Sequence, residues 1–190
     1  MGKTTLTREL CKVAPFVTGL EQHEERPFQE QFSCDLRGYA LANQVDYLLY
    51  RAEQEQYIRQ SDSVGIQDGG LEEDFYVFTR HFYRKGHLSE DAYKLCERLY
   101  ALARTLLPDP DVIIRLTAPL NVIVERYLKR ERDLEIAAVE DLAELEELLS
   151  DWIKSVKSIP IITVDAGSDR YCSVERINEL WLQVNECLSM

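Results

Sequence analysis

The sequence of 190 residues is poor in cations and has no long apolar run. Lysine and arginine together number 22 against 34 aspartates and glutamates, so the formal net charge is −12 and the pI is about 4.8. A protein with this charge is repelled by nucleic-acid backbones and by anionic lipid. No run approaches the ~18 apolar residues that a membrane span requires, and no basic-then-apolar leader is present. We therefore expect neither a nucleic-acid polymer nor a membrane as a partner.

The cysteines form no recognisable metal-binding or disulfide pattern. They are scattered, without a C-x-x-C pair or a partnering histidine: Cys11, Cys34, Cys96, Cys172 and Cys187. A reduced, cytoplasmic protein is the simplest interpretation. Repeats, low-complexity tracts and linkers are also absent, and a chain of 190 residues with 45% hydrophobic content fits one compact domain. We assign residues 1–190 to that single domain.

Short apolar runs alternate with longer amphipathic stretches. Four runs have the composition of buried strands: 16–17, 64–66, 112–116 and 161–164. Apolar spacing predicts helices at 39–59, 71–85, 89–107, 120–129 and 139–156. Ser89 is the expected N-cap of its helix, and the acidic run 140–147 is interpreted as a solvated helix face. The alternation predicts an α/β fold with a parallel sheet flanked by helices.

The chain opens with the second half of a phosphate-binding loop. Gly2, Lys3 and Thr4 match the last three positions of G-x-x-x-x-G-K-[ST], and a short amphipathic helix follows them. In that pattern backbone N–H groups surround the phosphates, the lysine reaches the β- and γ-phosphates, and the hydroxyl holds Mg²⁺. We expect Gly2, Lys3, Thr4 and Thr5 to bind a nucleotide at the helix N-terminus. The Gly-rich half of the pattern is missing here, and we expect the sheet to lack its first strand.

Further segments, in order along the chain, resemble the deoxynucleoside kinase family of small P-loop phosphotransferases. Leu20-Glu21 and the segment 24–28 look like the family's L-E-P-x-E-E-N-P segment, and Gln44 with Arg51 is similar to its base-reading pair. Residues 126–135 resemble its lid. The resemblance covers nearly the whole chain, and it implies a three-layer P-loop kinase fold, ATP as phosphoryl donor, Mg²⁺, and a deoxynucleoside as acceptor in nucleotide salvage.

The resemblance implies catalytic and metal-binding roles. Glu21 would be the base for the nucleoside 5′-hydroxyl, and three cations would stabilise the transferring charge: Lys3, Arg130 and Arg132. Thr4 and Asp68 would hold Mg²⁺. This set has the parts that phosphoryl transfer to an alcohol requires, namely cations, a metal and a carboxylate that accepts the hydroxyl proton.

The resemblance also implies how the two substrates are held. The deoxynucleoside would be contacted by Gln44, Arg51, Asp74, Phe78 and Glu135, the last at the sugar 3′-hydroxyl. The triphosphate side would add Arg126, Asp165 and Asp169, with a lid at about 126–137. Gln44 and Arg51 lie two helical turns apart, so both side chains can project into one cleft.

Two positions depart from the family pattern. Gly69 stands where the family has the arginine of its D/E-R-S motif, and Ser33 stands where it has a tyrosine at the 3′-hydroxyl. Loss of a charge-assisted contact like that of the arginine costs about 2–4 kcal/mol of transition-state stabilisation unless another cation replaces it. Arg80 and Arg26 are the candidate replacements.

We expect a deoxynucleoside kinase, and two alternatives remain open. A thymidylate-type nucleoside-monophosphate kinase needs a cationic site for the acceptor's own phosphate, which the acidic segment 21–25 disfavours. A degenerate kinase fold, kept as a nucleotide-binding or subunit-interaction module, is favoured by Gly69 and the missing half-loop. The presence of Glu21, Lys3 and the lid arginines opposes it. Because family members are commonly dimers through a helix pair, we expect a homodimer.

Overall fold

Helices alternate with short strands along residues 2–19, 26–129 and 138–189, which are the residues that this computed structural model describes. The helices are α1 (Lys3–Val13), α2 (Gln29–Cys34), α3 (Leu36–Arg59), α4 (Leu71–Glu73), α5 (Arg80–Arg84), α6 (Glu90–Leu106), α7 (Leu120–Leu128), α8 (Leu142–Ser155) and α9 (Val174–Leu188). The strands are β1 (Val17–Gly19), β2 (Gly65–Gln67), β3 (Ile113–Thr117) and β4 (Ile161–Asp165). The predicted α/β class is confirmed.

The strands form two parallel pairs. β1 pairs with β2, with Val17 opposite Gly65, and β3 pairs with β4, with Ile113 opposite Ile161. Among the described residues no pairing joins β2 to β3. A cavity of about 740 Å³ lies between these two strands. The parallel arrangement therefore agrees with the sequence prediction, but the sheet is divided in its middle.

Helices α1 and α9 cover one face of the strands. Leu6 and Leu10 lie one turn apart on α1 and pack with Leu180 and Val184 of α9, and the side chain of Ile114 packs against this cluster. Burying a leucine side chain contributes about 1.5–3 kcal/mol. The cluster therefore fixes α1, and with it the N-terminus of that helix, against the strands.

Helix α3 carries two predicted site residues. Asp35 caps the helix by accepting a hydrogen bond of 2.9 Å from the N–H of Gly38. Gln44 and Arg51 lie on one face of α3 and are only 2% and 4% exposed. That face packs on α6 and on the segment between α4 and α5 through a second core cluster, made of Leu48, Leu71, Phe75 and Cys96.

The predicted helix at 71–85 is interrupted by a π-helical segment, Asp74–Thr79. The hydroxyl of Thr79 lies 2.9 Å from the carbonyl oxygen of Asp74 and 2.9 Å from Oε1 of Gln44. The wider turn thus brings Asp74 and Thr79 toward α3. Single π-helical turns within α-helices are frequent at functional sites. None of the described helices has both the length and the apolarity to cross a membrane.

Candidate active site

The N-terminus of α1 lies at the carboxyl end of β2. The hydroxyl of Thr4 donates a hydrogen bond to Oδ2 of Asp68, which follows β2, and Nζ of Lys3 lies 2.5 Å from Oε1 of Glu73 on α4. Gly2, at φ 102°, begins α1 in a left-handed conformation that glycine tolerates. These contacts bring three of the predicted phosphate-side residues, Lys3, Thr4 and Asp68, into one cluster.

Thr4 and Asp68 fit a magnesium site. Asp68 is 1% exposed, and its second carboxylate oxygen, Oδ1, has no hydrogen-bond partner among the described residues. An unpaired buried carboxylate oxygen is costly unless a cation or a donor satisfies it. A hydroxyl and a carboxylate are also ligands that Mg²⁺ prefers. The donor set predicted from the sequence is therefore assembled in the fold.

Glu73 is a charged neighbour of the phosphate side that the sequence analysis did not identify. Burial raises the pKa of its carboxyl, but the charge and the hydrogen bond of Lys3 outweigh burial, and the net pKa is lowered. Near neutral pH, Glu73 is therefore an anion that forms an ion pair with Lys3. Its position directly before Asp74 was the signal available in the sequence.

A buried ion pair joins two of the residues predicted to read the base. Nε of Arg51 donates to Oδ2 of Asp74 at 2.7 Å, and Nη1 of Arg51 donates to the carbonyl oxygen of Asp68 at 3.0 Å. Burial raises the pKa of the Asp74 carboxyl, while Arg51 opposes that rise. Gln44 joins this group through Thr79. The predicted Phe78 is half-buried and packs with the cluster around Phe32 and Phe82.

Arg51 also lies beside the position of the missing family arginine. Gly69 has φ 73°, and a Cβ at this residue would lie 3.0 Å from Oε2 of Glu73 and 3.2 Å from Nη2 of Arg51. The two proposed replacements are engaged elsewhere: the guanidinium of Arg80 lies 4.5 Å from the ring centre of Tyr76, and Arg26 makes two 2.7 Å hydrogen bonds to Asp46. The guanidinium nearest to position 69 in these contacts is therefore that of Arg51.

Two of the predicted triphosphate-side residues, Arg126 and Asp169, form an ion pair next to Tyr171, which contacts Gly2. Arg126 donates to the carbonyl oxygen of Ala166 at 2.6 Å and to Oδ1 of Asp169 at 2.9 Å, and its guanidinium lies over the ring of Tyr171. The hydroxyl of Tyr171 donates to the carbonyl oxygen of Gly2 at 3.4 Å.

Arg126, on α7, is therefore bound to the loop that follows β4. The sequence analysis missed Tyr171, two residues beyond Asp169 in that loop. In the same loop Asp165 accepts a 2.8 Å bond from the N–H of Gly167. Thr5 is exposed at the start of α1.

Four predicted residues lie outside the described residues: Glu21, Arg130, Arg132 and Glu135. Their roles, and the greater part of the predicted lid at 126–137, stay predictions from the sequence. The described part of the site thus contains the residues predicted to bind phosphate and Mg²⁺ at the N-terminus of α1, and those predicted to read the base.

The family model and the curated relatives that match this chain all belong to one kind of enzyme. A family model described as "Deoxynucleoside kinase" matches residues 1–189. A deoxyadenosine/deoxycytidine kinase of Bacillus subtilis (strain 168) is 29% identical over 165 residues, which cover 85% of this chain and 76% of the relative. A deoxyguanosine kinase of the same organism is 25% identical over 174 residues, which cover 88% of this chain and 82% of that relative.

Solved structures show the same fold. The deoxyadenosine kinase from M. mycoides with the products dCMP and a flexible dCDP has a TM-score of 0.82 at 24% identity, covering 97% of this chain and 94% of that one. The same enzyme with bound dCTP has a TM-score of 0.78 at 23% identity, over the same shares of the two chains. Because the family match spans almost the whole sequence and the fold agrees, this chain belongs to the deoxynucleoside kinase family.

Proposed function

We propose that this deoxynucleoside kinase transfers the γ-phosphoryl group of ATP to the 5′-hydroxyl of a deoxynucleoside in nucleotide salvage. The observation that supports the assignment most strongly is the adjacency of two groups. Thr4 and Asp68 are in contact at the N-terminus of α1, and Arg51 bonds both to the backbone of Asp68 and to Asp74. A phosphate-and-metal end and a base-reading end are thus joined through one residue, Asp68.

On the phosphate side, the residues at the N-terminus of α1 would bind the triphosphate. The N-terminus of a helix attracts anions through its free N–H groups and its dipole. Lys3 would leave Glu73 and reach the phosphates. Thr4 and Asp68 would hold Mg²⁺, which would supply positive charge to the triphosphate. Glu21 would accept the proton of the 5′-hydroxyl, and Arg130 with Arg132 would stabilise the transferring group.

On the base side, Arg51 and Asp74 present a donor beside an acceptor. Cytosine and adenine each carry an exocyclic amino group next to a ring nitrogen, so they offer a donor beside an acceptor in return. We therefore propose deoxycytidine and deoxyadenosine as the preferred acceptors. The name of the first Bacillus subtilis relative, a deoxyadenosine/deoxycytidine kinase, supports the same choice.

The two alternatives have less support. An acceptor that already carries a phosphate needs a further cationic site, and on the phosphate side Lys3 is already paired with the anion Glu73, which disfavours a monophosphate kinase. A fold without turnover would not require the assembled pair of Thr4 and Asp68. We further propose a homodimer through α3 and α6, because α6 exposes three large apolar side chains, Leu95, Leu102 and Leu106. We propose a cytoplasmic location because the cysteines are unpaired.

The assignment is tested by incubating the protein with ATP, Mg²⁺ and each deoxynucleoside, and by locating the new phosphate with ³¹P NMR. We expect 5′-monophosphates of deoxycytidine and deoxyadenosine. A preparation that phosphorylates only nucleoside monophosphates, or that makes no product from any deoxynucleoside, would contradict the proposal.

A further inference from the structure

The hydroxyl of Thr79 joins two of the residues predicted to read the base. Its oxygen lies 2.9 Å from Oε1 of Gln44 on α3 and 2.9 Å from the carbonyl oxygen of Asp74. Thr79 is 0% exposed, and Gln44 and Asp74 are 2% and 6% exposed, so water competes little for these bonds. The sequence analysis did not identify Thr79, because its contact with Gln44 joins residues 35 positions apart.

The π-helical segment Asp74–Thr79 places this hydroxyl. Within an ordinary α-helix, a threonine hydroxyl bonds to the carbonyl oxygen three or four residues earlier. Here it lies beside the carbonyl oxygen of Asp74, which is five residues earlier, and at the same time it reaches across to α3. The wide turn therefore gives the hydroxyl a contact with both Gln44 and Asp74.

The hydrogen of this hydroxyl is donated to Gln44. A hydroxyl has one hydrogen, so it can donate fully to only one of the two oxygens. In the i→i+5 pattern of a π-helix, the carbonyl oxygen of Asp74 accepts from the N–H of Thr79. Oε1 of Gln44 can only accept, so its 2.9 Å contact with the hydroxyl oxygen requires the hydroxyl hydrogen between them.

This bond decides which end of the Gln44 amide is left for a ligand. A glutamine amide has an acceptor at one end and a donor at the other, and the two ends are nearly equal in size. Because Thr79 holds Oε1, the donor Nε2 is the end that remains for a base. Without the hydroxyl, the amide could turn over and present Oε1 instead.

We propose that Thr79 is a positioning residue that sets the base preference of the kinase by fixing the amide of Gln44. Cytosine and adenine have a ring nitrogen that accepts a hydrogen bond beside the exocyclic amino group, whereas uracil and guanine carry an N–H at that place. Nε2 would bond to the first kind of base. It would face a second donor on the other kind, and both donors would then stay unpaired in a buried site.

The proposal rests on the proposed function in one respect, since it takes the acceptor's base to bind beside Gln44. It goes further by naming a residue whose hydroxyl the base does not need to touch. The donor Nε2 would also act together with the donor Arg51 and the acceptor Asp74. A base with an amino group beside an unprotonated ring nitrogen matches all three.

The test is the ratio of Kd for deoxyuridine to Kd for deoxycytidine, measured by calorimetry without ATP. Thr79→Val keeps the shape but lacks the hydroxyl, and we expect the ratio to fall by roughly fivefold to tenfold, because Oε1 can then turn to the N3–H of uracil. Thr79→Ser keeps the hydroxyl and should stay within about twofold of the wild-type ratio. Thr79→Ala lacks the hydroxyl in a smaller side chain and should resemble Thr79→Val.

Both Kd values come from one preparation, so the ratio does not depend on the folded fraction. An unchanged ratio in Thr79→Val, or an equal fall in Thr79→Ser, would overturn the proposal. A fall confined to Thr79→Ala would assign the effect to packing and would overturn it as well. So would a wild-type protein that binds the two nucleosides equally or binds neither.

The two proposals fail in different measurements. A ratio that shifts as expected, in a protein that makes no monophosphate from any deoxynucleoside, would contradict the proposed function and support the role of Thr79. An unchanged ratio in a protein that phosphorylates deoxycytidine would leave the proposed function in place and remove Thr79 from this role.

Discussion

Nζ of Lys3 lies 2.5 Å from Oε1 of Glu73, so the lysine proposed to reach the triphosphate is bound to a carboxylate of its own chain. The pair joins the first turn of α1 to α4, and the side chain of Glu73 is 19% exposed. A triphosphate must compete with this carboxylate for the ammonium group. Nucleotide affinity therefore includes the free energy needed to separate Lys3 from Glu73.

Replacing Glu73 by glutamine should strengthen nucleotide binding. The amide keeps the shape of the side chain but removes the competing charge, and we expect Kd for ATP·Mg²⁺, measured by calorimetry, to fall roughly threefold to tenfold. Glu72→Gln is the matched control, because Glu72 contacts Arg104 at 3.3 Å. An unchanged Kd in Glu73→Gln, or an equal change in Glu72→Gln, would remove Glu73 from this role.

The same pair should make stability depend on pH. Because the pKa of Glu73 is lowered in the folded protein from an ordinary value of 4.5, the pair stabilises the fold fully above pH 4.5 and less as pH falls through the lowered folded pKa. Since Lys3 is partly exposed, the contribution should be about 0.5–1 kcal/mol. Urea unfolding of wild type and Glu73→Gln should show a difference that shrinks below pH 4.5. A difference that grows on acidification would have the wrong sign.

Thr4 should be needed for its hydroxyl. Thr4→Val removes the proposed Mg²⁺ ligand at nearly constant shape, and activity at limiting Mg²⁺ should fall by roughly 10–100-fold. Thr4→Ser keeps the hydroxyl and should stay close to wild type. The measurement is a Mg²⁺ titration of initial rate for both variants. Equal Mg²⁺ dependence in valine and serine variants would exclude Thr4 as a ligand.

Leu10 should be a major determinant of stability. It is 0% exposed in the cluster between α1 and α9, and Leu10→Ala should lower the free energy of unfolding by about 2–5 kcal/mol. Leu182, on α9 but 62% exposed, supplies the control, and Leu182→Ala should cost less than about 0.5 kcal/mol. Denaturant titrations of both variants compare the two costs directly. Similar costs would contradict the packing described for α1.

Local sequence patterns predicted most of the fold. The four apolar runs are strands within a few residues of their predicted bounds, and Ser89 caps α6 by accepting a 3.2 Å bond from the N–H of Ala92. Helix α9 was not predicted, although Ile177, Leu180, Trp181 and Val184 have helical spacing. These features depend on neighbours in the sequence, and for that reason a pattern can predict them.

Features set by distant contacts were not predictable in the same way. The acidic run 140–147 was interpreted as a solvated face, which is wrong for Asp141, Glu144 and Glu146, all of them partly buried. Asp141 lies 2.5 Å from Nζ of Lys85, and Glu144 lies 3.0 Å from Nδ1 of the buried His81. These pairs form because α8 packs on α5, which no local spacing encodes. The contact of Lys3 with Glu73 likewise joins residues 70 positions apart.

The central claim, that Arg51 and Asp74 read the base of the acceptor, is tested most directly by the ratio of kcat/KM for deoxycytidine to kcat/KM for deoxyuridine. Both values come from one preparation, so the ratio does not depend on the folded fraction, which matters because breaking a buried ion pair is destabilising. The amide of asparagine in Asp74→Asn can donate a hydrogen bond to the O4 carbonyl of uracil. The control is Asp46→Asn, which weakens the contact of Asp46 with Arg26 outside the proposed base site. We predict that the ratio falls by roughly 10–100-fold in Asp74→Asn and is unchanged in Asp46→Asn. An unchanged ratio in Asp74→Asn would contradict the account.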